Sequence, residues 1–260
     1  MTVLDQIINH KKVEIERRKN ALPLSIITKS LDALEKSRYF KKAISVPGRI
    51  NIIAEIKKSS PSAGVISDTL DVRKISEIYE KSGASAISVL TEEKYFGGDI
   101  FHIALVKQKT TLPVLRKDFI LEEYQIYESK YFGADAVLLI ASILTKQEII
   151  KFFTLAKSIG LSVITEVHKE TELETVLESG SEIIGINNRN LSDLSVDLTT
   201  SLKLKPMIPV DKIVISESGI KSKEEVKMLK NIGINAILIG HKFLESPDIA
   251  KTMHDIKVDD

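Results

Sequence analysis

Cysteine is absent from all 260 residues of the chain, which removes disulfides, thiolate metal sites and thiol nucleophiles together. Long apolar runs are missing as well, and none approaches the ~18 residues that a membrane-spanning helix requires. Neither charge sign is in excess: 37 Lys and Arg against 36 Asp and Glu leave a formal net charge of +1. No long-range field therefore draws the chain to nucleic acid or an anionic membrane, and any anion preference must be local. The five histidines (His10, His102, His168, His241 and His254) show no HxH or HExxH spacing, so no metal site is expected. A GxSxG nucleophile elbow is lacking, as are a GxGxxG fingerprint and a GxxxxGK[ST] loop. The acid–base groups left for chemistry are Lys and Glu, and no organic cofactor is expected.

What is present is the composition of an ordinary soluble globular protein, 43% hydrophobic and 28% charged. The opening stretch MTVLDQIINHKKVEIERRKN is no secretory leader, because Asp5, Asn9 and His10 interrupt any apolar core. It reads as an amphipathic helix with Leu4, Ile7, Ile8 and Ile15 near one face, covering one end of a core. With no address and no cysteine, a cytoplasmic location is expected.

Beyond residue 48 the chain acquires a rhythm. Apolar segments of strand length recur at 50–58, 82–90, 112–119, 132–140, 159–167, 179–187, 211–218 and 232–240. The stretches between them carry helix signals. Ser222 with Glu225, and Thr145 with Glu148, form capping boxes, while Gly233 and Gly160 suit left-handed helix ends. Strand–helix alternation with continuously apolar strands implies a parallel sheet covered by helices. Eight such units match a closed (β/α)8 barrel, an α/β fold. The organisation expected is one domain over 1–260, with an N-terminal helical extension at 1–48 and the barrel at 49–260.

In such a barrel chemistry sits at the C-terminal strand ends. Those ends carry Glu55-x-Lys57, Thr91-Glu92-Glu93-Lys94, Arg116-Lys117-Asp118, Thr165-Glu166, Asn187-Asn188-Arg189, Ser216-Glu217-Ser218-Gly219 and Gly240-His241; only the fourth, AVLLIASIL, stays apolar. Alternation along a strand puts Glu55, Lys57 and Ile53 on one face. A structural salt bridge would account for one such pair. Repetition at Lys117, Glu166, Asn187 and Glu217 favours a proton-transfer cleft, since burying many ions for stability gains little. His168, just past the fifth strand, reads as a solvent-facing loop residue. Gly219 and Gly240, with a short helix beginning near His241, mark the rim after strands seven and eight as a phosphate site.

These residues resemble a known family. IIAEIKKSSPSAG, LTEEKYFGG, LRKDFI, GADAVLLI, GINNRNL and ISESGI, in this order, are similar to motifs of indole-3-glycerol-phosphate synthase, a (β/α)8 enzyme of tryptophan biosynthesis. The resemblance covers nearly the whole chain. It implies conversion of 1-(2-carboxyphenylamino)-1-deoxyribulose 5-phosphate to indole-3-glycerol phosphate, with release of CO2 and water. It implies that Lys117 is the general acid of ring closure, and that Glu166 and Lys57 serve the dehydration, with Glu55 orienting Lys57. Either lysine can serve as an acid. Asn187, Arg189, Glu217 and Ser218 would hold the substrate. Ser60, Gly219, Gly240 and His241 would hold its phosphate, and Pro61, Phe96 and Leu138 would line the anthranilate pocket. The partner implied is thus a small phosphosugar-anthranilate substrate, with no nucleic acid and no membrane; association with other tryptophan-pathway enzymes stays open.

Two places depart from the family pattern: His241 stands where a small residue is common, and EVHKE, which begins with Glu166, stands in place of a more acidic or Asn-containing loop. A phosphoribosylanthranilate isomerase would bring a catalytic cysteine, which this chain lacks. A barrel that only binds a phosphorylated metabolite would need no matched acid and base.

Overall fold

Each of the eight apolar segments becomes a strand in the computed structural model, which describes residues 2–62, 64–66, 70–191 and 193–258. The ends of the expected ranges, Met1 and residues 259–260, lie outside the described residues, as does Ala63 of the first motif. The strands are β1 (Asn51–Ile56), β2 (Ala86–Leu90), β3 (Val114–Lys117), β4 (Ala136–Ile140), β5 (Ser162–Val167), β6 (Ile183–Asn187), β7 (Ile213–Glu217) and β8 (Ala236–Ile239). All pair in parallel with their sequence neighbours, and the barrel closes where Asn51 of β1 aligns with Ala236 of β8.

Alternation along the strands decides which side chains meet. Ile52 and Ala54 pack outward under the helices, whereas Ile53 joins Leu115, Ala136, Ile164 and Ile215 inside the barrel. Two residues further along each inner row stand Glu55, Lys117, Leu138, Glu166 and Glu217. The fold therefore aims those side chains at the C-terminal mouth. Truncating one of the inner aliphatics to Ala would cost about 2–5 kcal/mol, since the closed ring cannot collapse onto the void.

The helical readings hold in detail. Helices α1 (Val3–Ala21), α2 (Leu24–Ser30) and α3 (Phe40–Ala43) precede the barrel. Around it run α4 (Val72–Lys81), α5 (Phe101–Lys109), α6 (Glu123–Tyr131), α7 (Lys146–Ser158), α8 (Glu170–Glu178), α9 (Thr199–Leu204), α10 (Lys223–Asn231), α11 (His241–Leu244) and α12 (Ile249–Ile256). Both expected capping boxes form, at the starts of α7 and α10, and Gly160 and Gly233 follow those helices with φ of +81° and +84°.

The extension touches both ends of the barrel. Phe40 and Ile44 plug the base, where the Asn51 side-chain amide donates to the Ile44 and Val46 carbonyls at 3.1 and 3.2 Å. Helix α1 lies across the mouth and buries Ile7 and Ile15 as expected, but it also buries Lys11, Glu14 and Arg18. Lys11 Nζ sits 2.8 Å from both Asp118 Oδ1 and Glu14 Oε2. Arg18 reaches Glu14, Glu93 and Glu128, and Arg116 completes the lattice through Asp118 and Glu128. A buried structural charge network thus exists here, although burying many ions for stability is expected to gain little. At the opposite, basal end Lys257 Nζ donates to the Ser82 carbonyl at 2.7 Å, tying the end of α12 to the end of α4.

Candidate active site

The inner rows end in a cavity of about 430 Å3 at the C-terminal mouth. Its wall contains every site residue expected from the sequence, from Glu55 and Lys57 of the first strand unit to Gly240 and His241 of the last. Lys117, the last residue of β3, is held between two carboxylates: Nζ donates to Glu166 Oε2 at 3.1 Å and to Glu217 Oε2 at 2.7 Å. Elsewhere on the wall Lys57 Nζ donates to Glu55 Oε2 at 2.5 Å.

Burial sets the electrostatics. It opposes the charged forms of Lys117 and Glu166, but their mutual attraction outweighs it, raising the ammonium above the usual lysine range and holding the Glu166 carboxyl below the carboxylate range. Glu217 goes the other way. Burial pushes it up to about 7, against the pull of Lys117 and with help from the Glu166 charge. One ammonium between two carboxylates favours one ionised and one protonated partner, so the site can store a proton near neutral pH.

Two glycines make room for these carboxylates. A Cβ on Gly240 would stand 2.5 Å from Glu55 Oε2, and one on Gly185 would collide with Glu217 Oε1. That Glu217 oxygen is buried and has no hydrogen-bond partner among the described residues. Ser218 follows with φ +66°, a left-handed conformation uncommon for a residue with a side chain, and Gly219 with φ +82°. Helix α11 starts at His241, as expected for the rim. Asn187 Oδ1 accepts the Arg189 backbone N–H at 3.0 Å, which fixes the loop leaving β6.

The cavity has an apolar side. Ser59 and Ser60 pair with Gly64 and Val65 in a short antiparallel hairpin after β1, and the Ser59 N–H donates to the Phe96 carbonyl at 3.1 Å. That bond ties the loop bearing Pro61 to the loop bearing Phe96. Phe96 packs against Phe119 with ring centroids 6.2 Å apart, and Leu138 stands on the same wall. Phe119 was legible two residues past Lys117, on the same face. Val3, Leu4 and Ile7 of α1 also line the cavity, and nothing in the local sequence pointed there.

Other expectations need correction. The polar end of β2 does not enter the cavity: Glu92 accepts the Lys94, Tyr95 and Phe96 backbone N–H groups, and Glu93 pairs with Arg17 and Arg18. Arg116 points outward into the buried lattice, and Asp118, although it borders the cavity, has its carboxylate taken up by Lys11 and Arg116. His168 is not solvent-facing; its side chain is 12% exposed and its Nε2 lies 3.3 Å from Glu166 Oε1. Away from the cavity, His10, Glu14 and Glu92 offer three ligand atoms within 4.8 Å of one another, a proximity the histidine spacing did not reveal. Glu14 is already engaged by Lys11 and Arg18 there, and Glu92 by its backbone donors.

Known proteins resemble this chain over nearly its whole length. The sequence profile of the indole-3-glycerol phosphate synthase family matches residues 4–256. The chain is 46% identical over 255 residues to the indole-3-glycerol phosphate synthase of Alkaliphilus metalliredigens, covering 98% of each chain. It is 48% identical over 243 residues to that of Caldanaerobacter subterraneus subsp. tengcongensis, covering 94% of this chain and 93% of the other. Among solved structures, 3-hexulose-6-phosphate synthase from Salmonella typhimurium aligns with a TM-score of 0.64 at 14% identity, over 80% of this chain and 96% of that one. At that identity the likeness concerns the fold alone.

Proposed function

The chain belongs to the indole-3-glycerol phosphate synthase family, and on that footing we propose how its cavity residues divide the reaction. It is a decarboxylating carbon–carbon lyase that forms indole-3-glycerol phosphate. The substrate of this reading is 1-(2-carboxyphenylamino)-1-deoxyribulose 5-phosphate. The ring carbon bearing the carboxylate attacks the ketone carbon, the carbonyl pair moves to oxygen, and Lys117 supplies the proton that oxygen takes up. A fixed ammonium stabilises the developing oxyanion before it gives up that proton. CO2 then leaves, and its bonding pair restores the aromatic ring. Dehydration removes a proton from the carbon next to nitrogen and expels the new hydroxyl as water. Glu166 takes the first proton, and Lys57, oriented by Glu55, protonates the departing hydroxyl.

Asn187, Arg189, Glu217 and Ser218 hold the sugar portion in this reading. Ser60, Gly219, Gly240 and His241 hold the phosphate, while Pro61, Phe96 and Leu138 flank the aryl ring. A cytoplasmic location and the absence of nucleic-acid or membrane partners belong to the same proposal; no helix among the described residues is long and apolar enough to cross a membrane.

The observation that carries the reading is the position of Lys117 Nζ, 3.1 and 2.7 Å from two carboxylates in the cavity that also holds the Lys57–Glu55 pair. The test is Lys117→Met assayed by indole fluorescence on purified substrate, with circular dichroism of the variant. Loss of indole formation with an intact fold is expected; near-normal turnover would refute the assignment of Lys117 as acid.

A further inference from the structure

Glu166 is engaged on both oxygens. Oε2 accepts from Lys117, and Oε1 lies 3.3 Å from His168 Nε2. On the other side of the imidazole, Nδ1 lies 3.4 Å from Glu172 Oε2, which also accepts the His168 backbone N–H at 2.7 Å. Both ring nitrogens are shut off from solvent, and both contacts are ion pairs rather than well-aligned hydrogen bonds. We propose that His168, held in place by Glu172, is a positioning residue for Glu166: it occupies Oε1 and leaves Oε2 as the oxygen that works beside Lys117. This rests on the assignment of Glu166 as the base of the dehydration.

The ring's surroundings select its protonated form. A neutral imidazole carries one N–H and can serve only one carboxylate, whereas the imidazolium serves Glu166 and Glu172 together. Burial opposes that charge, but the two carboxylates outweigh it and push His168 up to about 9. The other charged groups facing this chain are Lys169, 3.7 Å from Glu172 Oε1, and Lys117 and Glu217 on the cavity side of Glu166. Around neutral pH a cation therefore stands behind the base as well as in front of it. It holds the carboxyl ionised and fixes its orientation, and a base displaced by a fraction of an ångström loses rate without losing substrate affinity.

The experiment measures kcat and KM against pH for His168→Ala, His168→Gln and Glu166→Gln, with melting curves for each. Removing the imidazolium should raise the Glu166 pKa, moving the acidic limb of the kcat profile upward by about one pH unit in both His168 variants. His168→Ala should lower kcat about tenfold at neutral pH with KM nearly unchanged, a loss of transition-state positioning alone. His168→Gln, whose amide can still donate toward Glu166, should recover most of kcat while keeping the displaced limb. An unmoved acidic limb in both folded His168 variants, with Glu166→Gln inactive, would overturn the positioning role and leave the base assignment standing. Turnover surviving in Glu166→Gln would overturn both.

Discussion

Replacing Lys11 with Met tests whether α1 is bound to the barrel by charge. The ammonium is fully buried, 2.8 Å from Asp118 on the β3 side and 2.8 Å from Glu14 on its own helix. Met fills similar volume but leaves both carboxylates short of a cation. Taking one partner from a buried pair costs about 3–5 kcal/mol. Arg116 still serves Asp118 and Arg18 still serves Glu14, which places the loss near the lower end. At about 2–4 °C per kcal/mol for a chain of this size, a loss of about 3 kcal/mol lowers Tm by roughly 6–12 °C. The assay is thermal unfolding followed by circular dichroism. The penalty also has a pH signature. Burial would raise the Asp118 carboxyl, but Lys11 and Arg116 outweigh it and hold the group below its ordinary 3.8. Its stabilising contribution is therefore full above that value and fades as pH falls toward the native pKa, so the gap between wild type and variant should narrow only under strong acid. A Tm change under about 2 °C at neutral pH, against the expected scale, would mean that the lattice is energetically idle.

Gly240→Ala should cut kcat by one to two orders of magnitude with little change in Tm, because the added methyl would displace Glu55 from Lys57 and such misplacements are costly; steady-state kinetics with a melting curve check it, and wild-type kinetics would count against the close approach. Glu217→Gln bears on the raised carboxyl. Its native pKa of about 7 against 4.5 unfolded makes its contribution full below 4.5 and lost as pH rises through about 7. The variant should therefore gain on wild type in Tm between pH 5 and 8, and a drift in the opposite direction would contradict the assignment.

The barrel was legible because its signals are local. Apolar runs broken by caps such as Thr145–Glu148 need only neighbours in sequence to form, and both expected boxes are present. Much of the site was legible for a related reason: alternation alone carries the inward face from Ile53 to Glu55 and from Leu115 to Lys117. What escaped depends on distant partners. Lys11 and Arg18 look like a solvated face until Asp118 and Glu128 arrive from more than 100 residues away. His168 is a loop residue as expected, but it looks solvent-facing until the α8 entry folds Glu172 back beneath it. Val3 and Leu4 gave no hint of the cavity, because hydrophobic periodicity reports that a face is covered, not what it covers.

The course of α1 across the mouth has a practical corollary. A purification tag or fusion partner joined ahead of Thr2 would emerge beside the mouth of the cavity, next to Val3 and Leu4. Attachment after Val258 starts from the opposite pole, where Lys257 is moored to Ser82. Immobilisation through that pole would leave the entrance facing the bulk solution.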